Sequence, residues 1–273
     1  MSSAKVKASS GRVDVESDDA AADAGFLVEY DAYAEGTEGI NYFRIDANIK
    51  YPFTIKYPEY EDYMELEGST DEGYRARVAY MQDYVGRVYN AALSQDYETL
   101  CELVDIDSFV DMYILHEYFK NADAGWSSFY MYKKQGCKLY LGPPWDFDGT
   151  ASISGRGDAG ATGIYVADTI NQTSAHTASE LYHQLYRTPE FFRAVQERWA
   201  ELSPQIKKYM NDTFTTEFYN ENKAAIGRNF VRWNGREQEA AESKWIEECE
   251  ILKTWFLDRA DWLDAEWAIS ETK

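Results

Sequence analysis

Histidine, cysteine and proline are scarce in this chain: three His, three Cys and six Pro among 273 residues. With only His116, His176 and His183 available, a His-rich metal centre is ruled out. Cys101, Cys137 and Cys249 are far apart and odd in number, so they give neither a disulfide framework nor a zinc spacing. Basic residues are also short, 27 Lys and Arg against 48 Asp and Glu, for a formal net charge of −21. A protein that coats DNA or RNA must neutralise phosphates, so no nucleic-acid partner is expected. A nucleotide held through a divalent cation stays open, because carboxylates are the usual ligands there. No apolar run approaches the roughly 18 residues of a spanning helix, and Met1 to Lys7 has no apolar signal-peptide core. Aromatic residues, by contrast, are abundant: 22 Tyr, 13 Phe and 8 Trp. Together with 45% hydrophobic residues they exclude a wholly disordered acidic chain and require a substantial folded core.

Residues 1–25 read as a weakly structured acidic lead-in. Gly25-Phe-Leu-Val-Glu-Tyr30, Tyr42-Phe-Arg-Ile45 and Phe53-Thr-Ile-Lys56 read as short strands of a small extended region, and 58–73 as acidic turns. Val78, Met81, Val85, Val88, Tyr89 and Ala92 recur at three-to-four spacing, which predicts an amphipathic helix from Tyr74 to Leu93. A second helix is expected to start at a capping Asp107 and run to Phe119. Ser128-Phe-Tyr-Met-Tyr-Lys133 and Cys137-Lys-Leu-Tyr-Leu141 flank a polar turn at Gly136 and predict a β-hairpin. Residues 149–178 form a long segment of small residues, the kind of loop that often serves function. Helices follow near 179–187, 189–202, 213–233 and 237–268, with Pro189 and Pro204 at boundaries. The Trp residues of the last helix, Trp245, Trp255, Trp262 and Trp267, are expected to pack a helical core rather than form a sugar-stacking surface.

The chemistry concentrates around the hairpin. Lys120-Asn-Ala-Asp-Ala-Gly-Trp126 precedes it and Gly142-Pro-Pro-Trp-Asp-Phe-Asp-Gly149 follows it. A hairpin sends the chain out and back, so Asp123, Asp146 and Asp148 can meet at one place. Clustered carboxylates repel unless a cation or hydrogen bonds offset them, and hard oxygen ligands suit Mg²⁺ or Mn²⁺. Phosphoryl transfer uses such parts: a metal that neutralises phosphate charge and an Asp that orients the attacking hydroxyl. Asn121 could add an oxygen ligand or orient a carboxylate. On the residues alone three readings stand: a carboxylate metal site, a structural Asp-x-Asp turn, and a glycosidase-like carboxylate pair. His116, on a helix, reads as structural.

Two stretches, Val104–Lys133 and Lys138–Asp148, resemble the spore-coat-protein CotH kinase family, atypical protein-kinase-like phosphotransferases. Gly25–Asp31, Pro52–Pro58, Pro189–Trp199 and Leu252–Trp262 extend the likeness over about residues 10–268. The resemblance implies an α+β, mainly helical fold: a kinase-like C-terminal lobe over 26–268, with a small β region and a tail at 269–273. It implies Asp123 as the catalytic carboxylate and Asp146 as a metal ligand and cofactor-binding residue. Asn121 and Asp148 fall in the same metal and phosphate shell, Asn121 also contacting the nucleotide. It further implies ATP with Mg²⁺ or Mn²⁺, a partner protein phosphorylated on Ser or Thr, and a secreted, spore-surface or cell-surface setting, with relatives in cellulosome-like assemblies. The departure is upstream: there is no Gly-rich phosphate loop and no room before residue 25 for a five-stranded nucleotide lobe, and Lys5 and Lys7, in the lead-in, are poor candidates for the strand lysine. The expectation is therefore the C-terminal part of a longer kinase, incomplete or inactive by itself. The alternative is a noncatalytic protein- or glycan-interaction module.

Overall fold

The computed structural model describes residues 15, 21–47, 49–151, 160–169, 179–214, 216–234 and 238–269. Most of the expected lead-in, Lys5 and Lys7, His176, much of segment 149–178 and residues 270–273 lie outside them. The chain forms two compact units, residues 1–157 with 164–195, and residues 158–163 with 196–273.

The first unit is built on one antiparallel sheet in the order β2-β3-β1-β4-β5. Its strands are β1 (Phe26–Tyr30), β2 (Tyr42–Phe43), β3 (Phe53–Tyr57), β4 (Phe129–Lys133) and β5 (Leu139–Leu141). β1 is buried along its whole length. It pairs on one side with β3 and on the other with β4, where Phe26 faces Lys133 and Tyr30 faces Phe129. β4 continues through the Gly136 turn into β5, with Met131 opposite Leu141. The register of β1 with β3 slips between Leu27 and Val28, leaving Lys56 as the extra residue of a bulge.

Alternation sends Phe26, Val28 and Tyr30 to one face of the sheet and Leu27 and Glu29 to the other. The Phe26 face is covered by helix α2 (Asp71–Leu93), whose Tyr80 and Tyr84 rings meet Phe26 at 6.4 and 6.3 Å. The expected apolar stripe of α2 is the buried one, and Thr70 caps the helix by accepting the Gly73 N–H at 3.0 Å. Full burial of a ring such as Phe26 contributes roughly 1.5–3 kcal/mol. On the opposite face Leu27 packs with Val15 and Tyr130, joined by Tyr57, Tyr132 and Trp145.

Helix α4 (Ile106–Phe119) is capped by Asp105, not by Asp107: the Asp105 carboxylate accepts the Ser108 N–H at 2.9 Å, and Asp107 lies inside the first turn. Two short helices also differ from the sequence reading. α1 (Tyr60–Met64) lies in the stretch read as turns, and α3 (Tyr97–Leu103) packs beside α2. Neither is long enough to display a helical period. Glu117 of α4 is fully buried, and its carboxylate accepts the N–H groups of Tyr165 and Val166 at 2.6 and 3.0 Å. It thereby anchors the π-helical turn Tyr165–Thr169, beside which α5 (Ser179–Arg187) packs.

α6 (Pro189–Asp212) runs on through Pro204, where the sequence reading placed a boundary, and the second unit also holds α7 (Thr216–Asn234) and α8 (Gln238–Glu266). Trp199 and Trp267 are buried edge to face at 5.5 Å, and the Trp199 indole donates to Asp264 at 2.8 Å. Trp245 stacks on Tyr219 at 5.2 Å. Arg259, also buried, donates to the carbonyls of Ala161 and Gly163 at 3.1 and 2.8 Å. These tryptophans pack helices against helices.

Glu117→Ala leaves two buried amides without their acceptor, and each such loss costs about 1–3 kcal/mol. Urea unfolding is expected to show a loss of that order or twice it, with Glu117→Gln, which keeps one acceptor oxygen, losing less. Equal stability of Glu117→Ala and the unaltered chain would contradict this role.

Candidate active site

The end of α4 begins the site. Lys120 takes a left-handed conformation, φ 47°, and closes the helix, with the Asn121 N–H donating to the His116 carbonyl at 3.0 Å. Asn121 is 1% exposed, and its side-chain oxygen accepts the Asp123 N–H at 2.9 Å, opening the 3₁₀ turn Ala122–Gly125. The Asp123 carbonyl accepts from Trp126 at 2.9 Å and Ser127 at 3.2 Å. Asp123 is thus fixed at both its amide and its carbonyl while its side chain stays half-buried.

The chain then runs out along β4 and returns along β5. On its return Trp145 rests against the Leu27–Tyr130 cluster, and Asp146 adopts a left-handed conformation, φ 57°, that starts the 3₁₀ turn Phe147–Gly149. This second turn is fastened to the same helix end. The Ala151 N–H donates to the Phe119 carbonyl at 2.8 Å, and the Phe147 ring packs against His116 at 5.1 Å and Phe119 at 5.5 Å. As a result Asp123 meets the turn that Asp146 begins: a Cβ placed at Gly149 would sit 3.0 Å from Asp123 Oδ2. A side chain at this position would press on the carboxylate, which glycine leaves room for.

Asp146 and Asp148 both reach the surface. The Asp146 carboxyl is held above its ordinary value of 3.8, first by partial withdrawal from water, then by the charge of Asp148 and a hydrogen bond with it. A divalent cation would relieve this crowding, and the donors are the hard oxygens such a cation takes. The residues therefore fit Mg²⁺ or Mn²⁺ in chemistry. Among the described residues, however, no group of three or more His, Cys, Asp and Glu side chains is arranged to hold a metal ion. The Asn121 oxygen already serves the Asp123 amide.

A second set of charges was not legible as a site in the sequence. Glu29 and Lys56 are 6% and 8% exposed and joined at 2.8 Å, with Asp31 at 3.9 Å from the same ammonium. Asp31 also accepts from Thr54 Oγ1 at 3.0 Å and from the Tyr33 N–H at 2.8 Å. The other Glu29 oxygen accepts the Ser128 N–H at 2.8 Å, just beyond the Asp123 turn. The available signal was a charged residue inside each of two apolar strand runs, which is costly unless it is paired. Asp31, Tyr33, Thr54, Lys56, Glu59 and Tyr60 are among the residues lining a cavity of about 380 Å³, whose lining includes none of Asn121, Asp123, Asp146 or Asp148.

A family model described as CotH kinase protein matches residues 21–263. No curated protein and no solved structure matches the chain.

His116, 1% exposed, has no hydrogen-bond partner at Nδ1 and lies among Phe129, Phe147 and Tyr182. Burial pushes its imidazole down from 6.5 to about 3. The unfolded chain takes up this proton below about pH 6.5 and the folded chain does not, so stability is complete above that window and falls as the pH drops through it. The slope approaches about 1.4 kcal/mol per pH unit from this group alone. Urea unfolding between pH 7.5 and 4.5 is expected to give a shallower pH slope for His116→Phe than for the unaltered chain. Identical slopes would contradict a neutral buried imidazole.

Proposed function

This chain belongs to the CotH kinase family, and from that premise we propose that it forms part of an ATP- and divalent-metal-dependent phosphotransferase acting on Ser or Thr of a partner protein. The observation that carries the reading is the contact of Asp123 with Gly149, which brings a fixed carboxylate to the turn begun by Asp146. Asp123 is the group that orients the acceptor hydroxyl and receives its proton, since its backbone is anchored on both sides while its carboxylate remains half-buried. Asp146 is the metal ligand, with Asp148 beside it supplying the second charge. Asn121 belongs to the same shell chiefly through its hold on the Asp123 amide. A bound Mg²⁺ or Mn²⁺ supplies neutralisation of the charge on the ATP phosphates.

These 273 residues contain no Gly-rich phosphate loop, so the proposal assigns the main grip on the nucleotide to polypeptide outside this sequence. The isolated chain then has a metal half-site with weak or no turnover. Membership of this family supports a secreted, spore-surface or cell-surface setting as part of the proposal. No helix among the described residues is long and apolar enough to cross a membrane.

Calorimetric titration with Mn²⁺, with and without ATP, tests the half-site. Saturable uptake is expected, weakened about tenfold or more in Asp146→Asn, the effect of removing one charged ligand. Asp123→Asn is expected to keep the uptake and to abolish phosphotransfer once the nucleotide lobe is supplied. Equal uptake by the unaltered chain and Asp146→Asn would overturn the assignment of Asp146.

A further inference from the structure

We propose that Glu29 is a positioning residue for Asp123, acting through Ser128 and held in place by Lys56; the consequence for chemistry rests on the reading of Asp123 given above. A carboxylate in the middle of a wholly buried strand is expensive, and an apolar residue would serve the sheet as well. Glu29 divides its two oxygens between different parts of the fold. Oε2 accepts from Lys56 on β3, at the bulge, and Oε1 accepts from the Ser128 amide, 99 positions away in sequence.

Ser128 is an unusual residue to hold. Its φ is +60°, a region that side-chain-bearing residues rarely adopt. It precedes the β1–β4 ladder, which ends with Tyr30 opposite Phe129, so its amide is satisfied by a side chain instead of by the sheet. Immediately upstream, Ser127 and Trp126 both donate to the Asp123 carbonyl. The Trp126 carbonyl in turn accepts the Ala32 N–H at 2.9 Å, and the Trp126 ring meets Tyr33 and Tyr51 at 6.1 and 5.4 Å. β1 and the residues after it therefore grip Trp126 to Ser128, while Asn121 grips the amide of Asp123. Asp123 is held between two side-chain acceptors, one before and one after its turn. A displacement of about 1 Å in such a group is enough to cost a large factor in rate, which gives the buried charge a purpose beyond stability.

Amide hydrogen exchange resolved to single residues tests the clamp directly. In Glu29→Ala, exchange at Ser128 is expected to rise at least about tenfold, the loss of one charge-assisted hydrogen bond. The increase is expected to spread to Trp126 and Ser127, whose N–H groups report on the Asp123 carbonyl. Because Glu29→Ala also leaves the buried Lys56 ammonium with only the more distant Asp31, at 3.9 Å, a second variant guards against global unfolding. The pair Glu29→Gln with Lys56→Met removes both charges and keeps an acceptor for Ser128. It is expected to restore protection at Trp126 and Ser127 to within about threefold of the unaltered chain, whereas the surface ion-pair control Arg75→Ala leaves these amides unchanged. Faster exchange confined to Ser128, with Trp126 and Ser127 still protected, would overturn the proposal, as would equally fast exchange in the double variant and Glu29→Ala. Mn²⁺ titration of the same proteins reads the functional premise separately. Absence of uptake by the unaltered chain removes the metal reading and leaves the exchange result to decide the clamp.

Discussion

The Ala151 amide donates to the Phe119 carbonyl, and the site is organised around that bond. It returns the chain, after a full excursion through β4 and β5, to the helix end from which it left. Lys120 has turned left-handed there, Asn121 has capped both its own helix and the next turn, and Phe147 has docked on His116 and Phe119. Each contact is modest alone. Together they fix the ends of one hairpin at one helix terminus, so Asp123 meets the Phe147–Gly149 turn without any loop having to be rigid along its length. The missing side chain of Gly149 leaves room for the Asp123 carboxylate against that turn.

The chain also accepts an electrostatic cost. It carries a net charge of −21, crowds Asp146 against Asp148, and buries Glu29, Asp31 and Glu117 in its first unit. The buried carboxylates are answered by the fold itself: Glu117 by two backbone amides, Asp31 by Thr54 and Tyr33, Glu29 by Lys56 and Ser128. The pair at Asp146 and Asp148 is answered differently, by holding one carboxyl above its ordinary value at the surface. Charge settled internally marks architecture, whereas the crowding of Asp146 by Asp148 is the strain that the proposed cation would relieve.

Much of this was legible in local sequence. The strand runs at Phe26, Phe53, Phe129 and Leu139, the stripe of α2 and the turn at Gly136 all announce themselves by period or by turn chemistry. Asn121, Asp123, Asp146 and Asp148 stand out by residue type and by their position on either side of the hairpin, and their roles belong to the proposal. What local pattern could not supply was pairing across distance. The first three strands read only as a small extended region, yet β1 lies at the centre of the sheet beside β4, a partnership set by non-local hydrogen bonds that leave no trace in either segment. The Glu29–Ser128 and Glu29–Lys56 contacts were hidden for the same reason. Asp105 rather than Asp107 caps α4 because the cap depends on which carboxylate faces the Ser108 amide, and composition favours neither. α1 and α3 are simply shorter than the window over which a helical period can be seen.

The most direct measurement of the central idea, that the hairpin unites Asp123 and Asp146 around a divalent cation, is a crystal structure of the chain grown with Mn²⁺ and read by anomalous scattering. The expected result is a single strong peak at the Phe147–Gly149 turn, coordinated by Asp146 and facing Asp123. A well-ordered turn with no peak, or manganese bound only elsewhere, would contradict it.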